Sequence, residues 1–300
     1  IVLGMTFHSC LDLEPQDQLG GKNMWTSVND YKQFANTFYS WTRDFSSVVY
    51  DGTHSDKRSD LITYQSYNEF SRGINSIPSS DANYTDNYKH IRRTNLLLQN
   101  AEAYAKPEDI KQYIGEAYFF RAYSYFDLLQ LYGDVIITKK PLDITDPEMK
   151  VKRNDRSEVV DLIIDDLNHA VENLPAFKEL TTEEEGRISK EGAQAFLSRV
   201  ALYEGTWQKS RNGNQNTQRS ANLLDIAAKA ARTVIDAKYG YTFRLFGTDS
   251  ETKILGDSAQ KYMFILENEK SNPAGIKKSS NHEYIFARRH DQVLASIGKN

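Results

Sequence analysis

Side chains able to do chemistry are plentiful in this sequence, but their spacing offers little to a catalyst. The six histidines (His8, His54, His90, His169, His282 and His290) are scattered. None stands four residues from another or beside a cysteine, so the helix-face spacing that holds zinc is missing. No glycine-rich phosphate loop and no Gly-x-Ser-x-Gly elbow occurs. Asp165-Asp166 and Glu183-Glu184-Glu185 fit solvated helix faces or loops better than a general acid and base, which must face each other across a cleft. No catalytic residue, metal ligand or cofactor is expected.

The residue types that suit binding cluster better. Trp41, Tyr50, Tyr64, Tyr67 and Tyr84 stand in or beside one irregular stretch, residues 42–83, with Asp56, Arg58, Asn83 and Asn87 among them. A sugar ring has an apolar C–H face and a rim of hydroxyls, so its site needs flat aromatic platforms beside amide and charged groups. Trp41, Tyr64, Tyr67 and Tyr84 are the candidate platforms, and Arg58, Asn83 and Asn87 the candidate hydroxyl partners. Arg121 differs, because it falls inside an apolar helical stripe. A guanidinium there must snorkel out or meet a carboxylate, and Glu116 and Asp127 are near in sequence. A structural lock between helices is expected of it.

Helices carry these groups. The i, i+3, i+4 pattern of apolar residues predicts helices near 25–41, 84–104, 107–132, 157–174, 189–207 and 221–238. Pro107 opens one helix, Gly133 closes it, Ser157 is placed as an N-cap, and Pro175 stops another. Asp134–Leu142 reads as extended, and Glu283-Tyr284-Ile285-Phe286-Ala287 as strand-like. The expected fold is mainly α, a tetratricopeptide-like helical-hairpin array with irregular loops and a few short strands, although no strict 34-residue period is present.

The whole-chain balance excludes one class of partner. Lys and Arg number 37 against 41 Asp and Glu, a formal net charge of -4. That leaves no basic excess to neutralise a phosphate backbone. Cys10 is the only cysteine, which excludes an intrachain disulfide. It follows an apolar run, Ile1 to Phe7, and precedes acidic Asp12 and Glu14. That order suggests the tail of a lipoprotein signal peptide, residues 1–9, with Cys10 as the lipidated (palmitate-bearing) residue.

Several segments together resemble the SusD/RagB family of outer-membrane nutrient-binding lipoproteins. Cys10-Leu11-Asp12-Leu13-Glu14-Pro15 is similar to the mature N-terminus. Tyr88-x-x-Ile91-x-x-x-Asn95-x-Leu97-Leu98 resembles the helix before the family hallmark. Gly115-Glu116-Ala117-Tyr118-Phe119-Phe120-Arg121-Ala122-Tyr123-Ser124-Tyr125-Phe126-Asp127-Leu128-Leu129, then Tyr132-Gly133-Asp134-Val135, is similar to the hallmark itself. Arg156-Ser157, Asp165-Asp166-Leu167, Gly186-Arg187-Ile188-Ser189-Lys190 and Ala193-x-x-Phe196-Leu197-x-Arg199-Val200 follow in order. The family usually has proline where this chain has Ile136, and its members are about twice as long.

The resemblance implies a SusD-like helical-repeat domain over 10–245, followed by the loop-rich start of a further region over 246–300. It also implies a non-catalytic, lipid-anchored protein on the outer face of the outer membrane. Such a protein holds oligosaccharide and passes it to a SusC-like TonB-dependent transporter. The rival reading is a helical-repeat scaffold that binds only protein and has no affinity for glycans.

Overall fold

A computed structural model describes residues 24–43, 56–59, 61, 69, 71–211, 217–266 and 268–287. Cys10, Tyr50, Tyr64 and Tyr67 lie outside the described residues.

Among the described residues, six helices of two turns or more make up the body: α1 (Val28–Asn36), α2 (Ala82–Glu102), α3 (Lys111–Tyr132), α4 (Arg156–Asn173), α5 (Lys190–Arg211) and α6 (Thr217–Ile235). Each of the long helices packs on the next, α2 on α3, α3 on α4, α4 on α5 and α5 on α6, and α1 lies against α3 and α2. This is the helical-hairpin array expected. Only an isolated antiparallel bridge, Val135 to Asn154, stands for the expected short strands among the described residues. Glu283–Ala287 forms turns and bends there, not a strand.

Local chemistry fixes the helix limits. Ser27 caps α1 in a reciprocal box with Asp30. Its last expected turn tightens into a 3-10 segment, Thr37–Trp41, which ends beside the irregular stretch. The 3-10 turn Pro107–Ile110 leads into α3. Gly133 ends α3 at φ 72, in the region where a side chain would strain. The N-cap of α4 is Asp155, boxed with Glu158, and not Ser157. The sequence offers two polar residues at that boundary, and the reciprocal bond to Glu158 decides between them.

One aromatic-rich core runs through the array, with Phe38, Ile91, Phe120, Tyr125, Ile163 and Leu167 fully buried. A smaller core of Phe246, Leu255, Ala259, Leu266 and Ile276 lies in the loop-rich C-terminal part.

The hallmark-like residues serve as fasteners. Arg121 is 5% exposed and forks onto Asp166 of α4, with Nε–Oδ2 at 2.8 Å and Nη2–Oδ1 at 2.6 Å. Its Nη1 donates to Asn95 Oδ1 of α2 at 2.8 Å. Neither Glu116 nor Asp127 is its partner, because the bonds run between helices and not along α3. Asp166 is fully buried, so half of the Asp165-Asp166 pair is not solvated as expected. Burial pushes its carboxyl upward, and the Arg121 guanidinium pulls it back. Asn95 Nδ2 donates to Thr138 O at 2.9 Å, Tyr88 donates to Ile136 O at 2.8 Å, and Thr138 N–H donates to the Tyr125 hydroxyl at 2.8 Å. Together these bonds pin the extended 135–138 segment across α2 and α3.

A second buried pair, Arg187 and Glu116 at 2.7 Å, ties the 181–189 connection to α3. Arg187 also donates to Asn36 Oδ1, and Ile188 N–H donates to the Tyr39 hydroxyl at 3.1 Å. The start of α5 and the end of α1 are thereby held together.

Candidate functional site

The exit of the Thr37–Trp41 turn and the facing surfaces of α2 and α3 enclose a cleft of about 180 Å³. Its described walls are Trp41, Arg43, Ala82, Asn83, Asp86, Asn87, His90, Tyr123 and Asp127. The α2 contribution follows from helix geometry, since positions 83, 86, 87 and 90 are spaced i, i+3, i+4, i+7 and share one face. Tyr123 and Asp127 are likewise one turn apart on α3.

Aromatic packing sets the floor. The Trp41 indole lies parallel to the His90 imidazole, with centroids 4.1 Å apart and planes at 14°. Phe38 tilts against the same indole at 4.7 Å, and Phe120 meets it edge-on at 5.9 Å. Two rings at such distances cannot share one face, so both faces of Trp41 are covered within the protein. Trp41 and His90 both border the cleft. Burial is the main reason that the His90 imidazole is pushed down to about 4, ahead of the opposing pull of Asp86. It is uncharged at neutral pH.

Polar groups converge opposite. Asp127 accepts from Arg43 Nη2 at 2.6 Å through one oxygen and from Asn87 Nδ2 at 2.8 Å through the other. Asn87 is almost wholly buried and also donates to Asn83 O at 2.8 Å. Asn83 is held through its backbone and side-chain nitrogens by Asp81, the N-cap of α2, at 2.9 and 3.0 Å. Asp86 sits within 2.7 Å of Lys89 Nζ. Tyr123 is half-buried, and burial raises its hydroxyl.

Of the residues singled out in the sequence, Trp41, Asn83 and Asn87 line this cleft together. Tyr84 does not line it. It packs edge-on against Tyr132 at 5.2 Å and tilts against Tyr88 at 4.8 Å, in the seam that continues the core. Arg58 stands in the field of Asp81 and Tyr132 and is not among the described walls. Tyr64 and Tyr67 fall outside the described residues. Arg43, Asp86, His90, Tyr123 and Asp127 also line the cleft and are not among the binding residues that stand out in the sequence. Carrying the i, i+3, i+4, i+7 spacing forward from Asn83 would have reached Asp86 and His90. The Arg43–Asp127 pairing spans 84 positions and leaves no local trace.

No group of three or more His, Cys, Asp or Glu placed to hold a metal occurs among the described residues. None of the described helices is long and apolar enough to cross a membrane.

This helical array is a fold shared with SusD-like proteins of known structure. A family model of SusD-like proteins, described as starch-binding and associating with the outer membrane, matches residues 11–202, and the chain belongs to that family. Two SusD-like proteins of Formosa agariphila are similar to it. One is 27% identical over 65% of this chain and 39% of its own length, the other 25% identical over 95% and 57%. The chain therefore spans about half the length of the curated relatives it matches. A SusD-like protein of Bacteroides fragilis has the same fold, with TM-score 0.63 and 22% identity over 91% of this chain and 46% of that one. A structure with xylogluco-oligosaccharide is similar over 84% of this chain and 43% of its own, with TM-score 0.54 and 21% identity.

Proposed function

We propose that this chain is part of a cell-surface glycan-binding protein that holds oligosaccharide without cleaving it and delivers it to a SusC-like TonB-dependent transporter. The observation that carries the reading is the cleft, where amides, carboxylates and one guanidinium meet aromatic rings at the margin of the irregular 42–83 stretch. Such a mixture matches the two faces of a sugar. Asn83, Asn87 and Asp127 supply hydroxyl partners, and His90 with Trp41 supplies the apolar floor. Tyr64, Tyr67, Tyr84 and Arg58 belong to the same binding region in this proposal, Tyr84 and Arg58 on its outer margin. The described starch binding of the family, and the relative solved with xylogluco-oligosaccharide, support a glycan over a protein ligand.

A non-catalytic role is favoured by how the two cleft carboxylates are used. Glycoside hydrolysis needs one carboxyl kept as a neutral acid near the glycosidic oxygen. Asp127 is committed to Arg43 and Asn87, and Asp86 to Lys89.

Cys10 is proposed as the lipid attachment point that anchors the protein on the outer face of the outer membrane. The segment 1–9 is then the end of its signal peptide, 10–245 the helical domain, and 246–300 the start of a further region. A Cys10→Ser precursor should lose incorporation of labelled fatty acid and leave the membrane fraction. Continued labelling would contradict the anchor.

The test of the function is a glycan array on the full-length protein. Binding to at least one oligosaccharide class is expected. A protein that bound none, yet still bound its transporter, would fit the rival scaffold reading.

A further inference from the structure

We infer that Asp81 is a positioning residue for the cleft: it is not among the described walls, yet it fixes which end of the Asn83 amide turns away from the helix cap. This rests on reading the cleft as a glycan site, and it goes further by naming a residue that acts on the ligand through another.

Three bonds converge on the Asp81 carboxylate. Its Oδ1 accepts from Asn83 N at 2.9 Å and from Asn83 Nδ2 at 3.0 Å. Its Oδ2 accepts from the Tyr132 hydroxyl at 2.6 Å. Tyr132 stands in the last turn of α3, and Tyr84 packs edge-on against its ring. The carboxylate therefore cannot turn without losing a bond to α2 or to α3. Capping a helix asks only for the backbone bond, so the bonds to Tyr132 and to the Asn83 side chain are additional. The Tyr132 bond, with those from Asn83, holds the Asp81 carboxyl below its usual range, against the effect of burial. It is ionised at neutral pH and can only accept, so the end of the Asn83 amide that faces it must be the nitrogen. The amide oxygen lies on the other side of Cγ, turned away from Asp81. The Asn83 backbone is fixed as well, its N–H by Asp81 and its carbonyl by Asn87 Nδ2 at 2.8 Å.

Asn83 lines the cleft beside Asn87 and Asp127. With its nitrogen drawn to Asp81, it meets a sugar hydroxyl through its oxygen. A carbonyl oxygen has two lone pairs, so it can take that hydroxyl even while it serves a protein donor. Without the carboxylate the amide is free to flip, and a ligand must then order it on binding. Holding the amide in advance removes that cost.

Calorimetric titration of the full-length protein with maltoheptaose and with xyloglucan heptasaccharide tests this, as a double-mutant cycle with Asn83. Asp81→Ser still caps α2, because serine is about as good an N-cap as aspartate, but its one short hydroxyl cannot hold both Tyr132 and the Asn83 amide. It should weaken binding about fivefold by itself and change it by less than about twofold beside Asn83→Ala. Asp81→Asn keeps an acceptor oxygen at the same reach and should retain affinity within about twofold. If Asp81→Ser fails to fold, Tyr132→Phe, which unties the other oxygen, decides in its place: a loss of about threefold that vanishes beside Asn83→Ala is expected. An equal loss in Asp81→Asn, or a loss that persists beside Asn83→Ala and so runs through Tyr132 or Arg58, overturns the inference. If Asn83→Ala weakens binding and Asp81→Ser does not, the glycan site stands and the role of Asp81 falls. If Asn83→Ala itself changes nothing, or neither probe binds, both fall.

Discussion

At the scale of single residues, the sequence announces which side chains are out of place but not whom they meet. Arg121 is legible as a cation inside an apolar stripe. Its partners come from Asp166 and Asn95, 45 and 26 positions away, and no local spacing points to them. Breaking such a buried pair from one side strands a charge, which costs about 3–5 kcal/mol. Asp166→Ala should show that loss in denaturant unfolding. Arg121→Leu, which fills the space, should be better tolerated than Arg121→Ala. Equal loss in both Arg121 variants would mean that packing plays no part.

His90 gives a pH signature. Its folded value of about 4 lies below the usual value of 6.5, so between those limits the unfolded chain binds a proton that the folded protein refuses. Stability from this group is complete above about 6.5 and declines as the pH falls toward 4. Asp86 and Asp127 oppose the shift, and Arg93 and Lys89 assist it. Between pH 7 and 4.5 the protein should lose on the order of 1 kcal/mol more than its His90→Phe variant, less than the full linkage value because the ring is partly open to solvent. Parallel losses would show that the imidazole titrates normally.

At the scale of elements, six helices were legible because apolar periodicity and breakers agree along each of them. Their ends moved by a few residues where a cap outside the apolar pattern decides, as at Asp155 and Thr37–Trp41. The segment 283–287 misled because a short apolar run carries no period of its own. Its Phe286 packs beside Phe119 at 6.1 Å as part of a loop.

Gly115 shows what close approach demands of a helix. A methyl group there would stand 2.9 Å from the backbone nitrogen of Leu174, at the end of α4. Ala is the better helix former by about 1 kcal/mol, but a backbone atom cannot step aside as a side-chain end can. Gly115→Ala should therefore lower stability by about 1–3 kcal/mol by denaturant midpoint. A gain in stability would show that α3 and α4 have room to separate.

At the scale of the molecule, the fold class and the family are legible in the order of the motifs. The structure gives those motifs physical meaning: Tyr88, Asn95, Arg121 and Tyr125 secure the helix layers and the 135–138 segment, and they do not face the cleft. The candidate site was only half legible. Asn83 and Asn87 were found because polar residues at a helix start beside an irregular stretch are conspicuous. Arg43 and Asp127 complete the cleft through tertiary pairing, which sequence distance conceals. Tyr84 packs against Tyr88 and Tyr132, a direction that its aromatic type alone does not reveal.

The central claim, that this cleft binds glycan, is tested most directly by pairing affinity with stability in one variant of the full-length protein. Asn83→Ala removes a hydroxyl partner while leaving the Trp41, Phe38 and Phe120 packing and the Arg43–Asp127–Asn87 bonds untouched. Calorimetric titration with the tightest oligosaccharide from the array should show affinity reduced at least about tenfold, the loss of one or two hydrogen bonds to a charged or amide group, with the melting temperature changed by only a few degrees. Unchanged affinity at an unchanged melting temperature would contradict the account and place the glycan elsewhere on the protein.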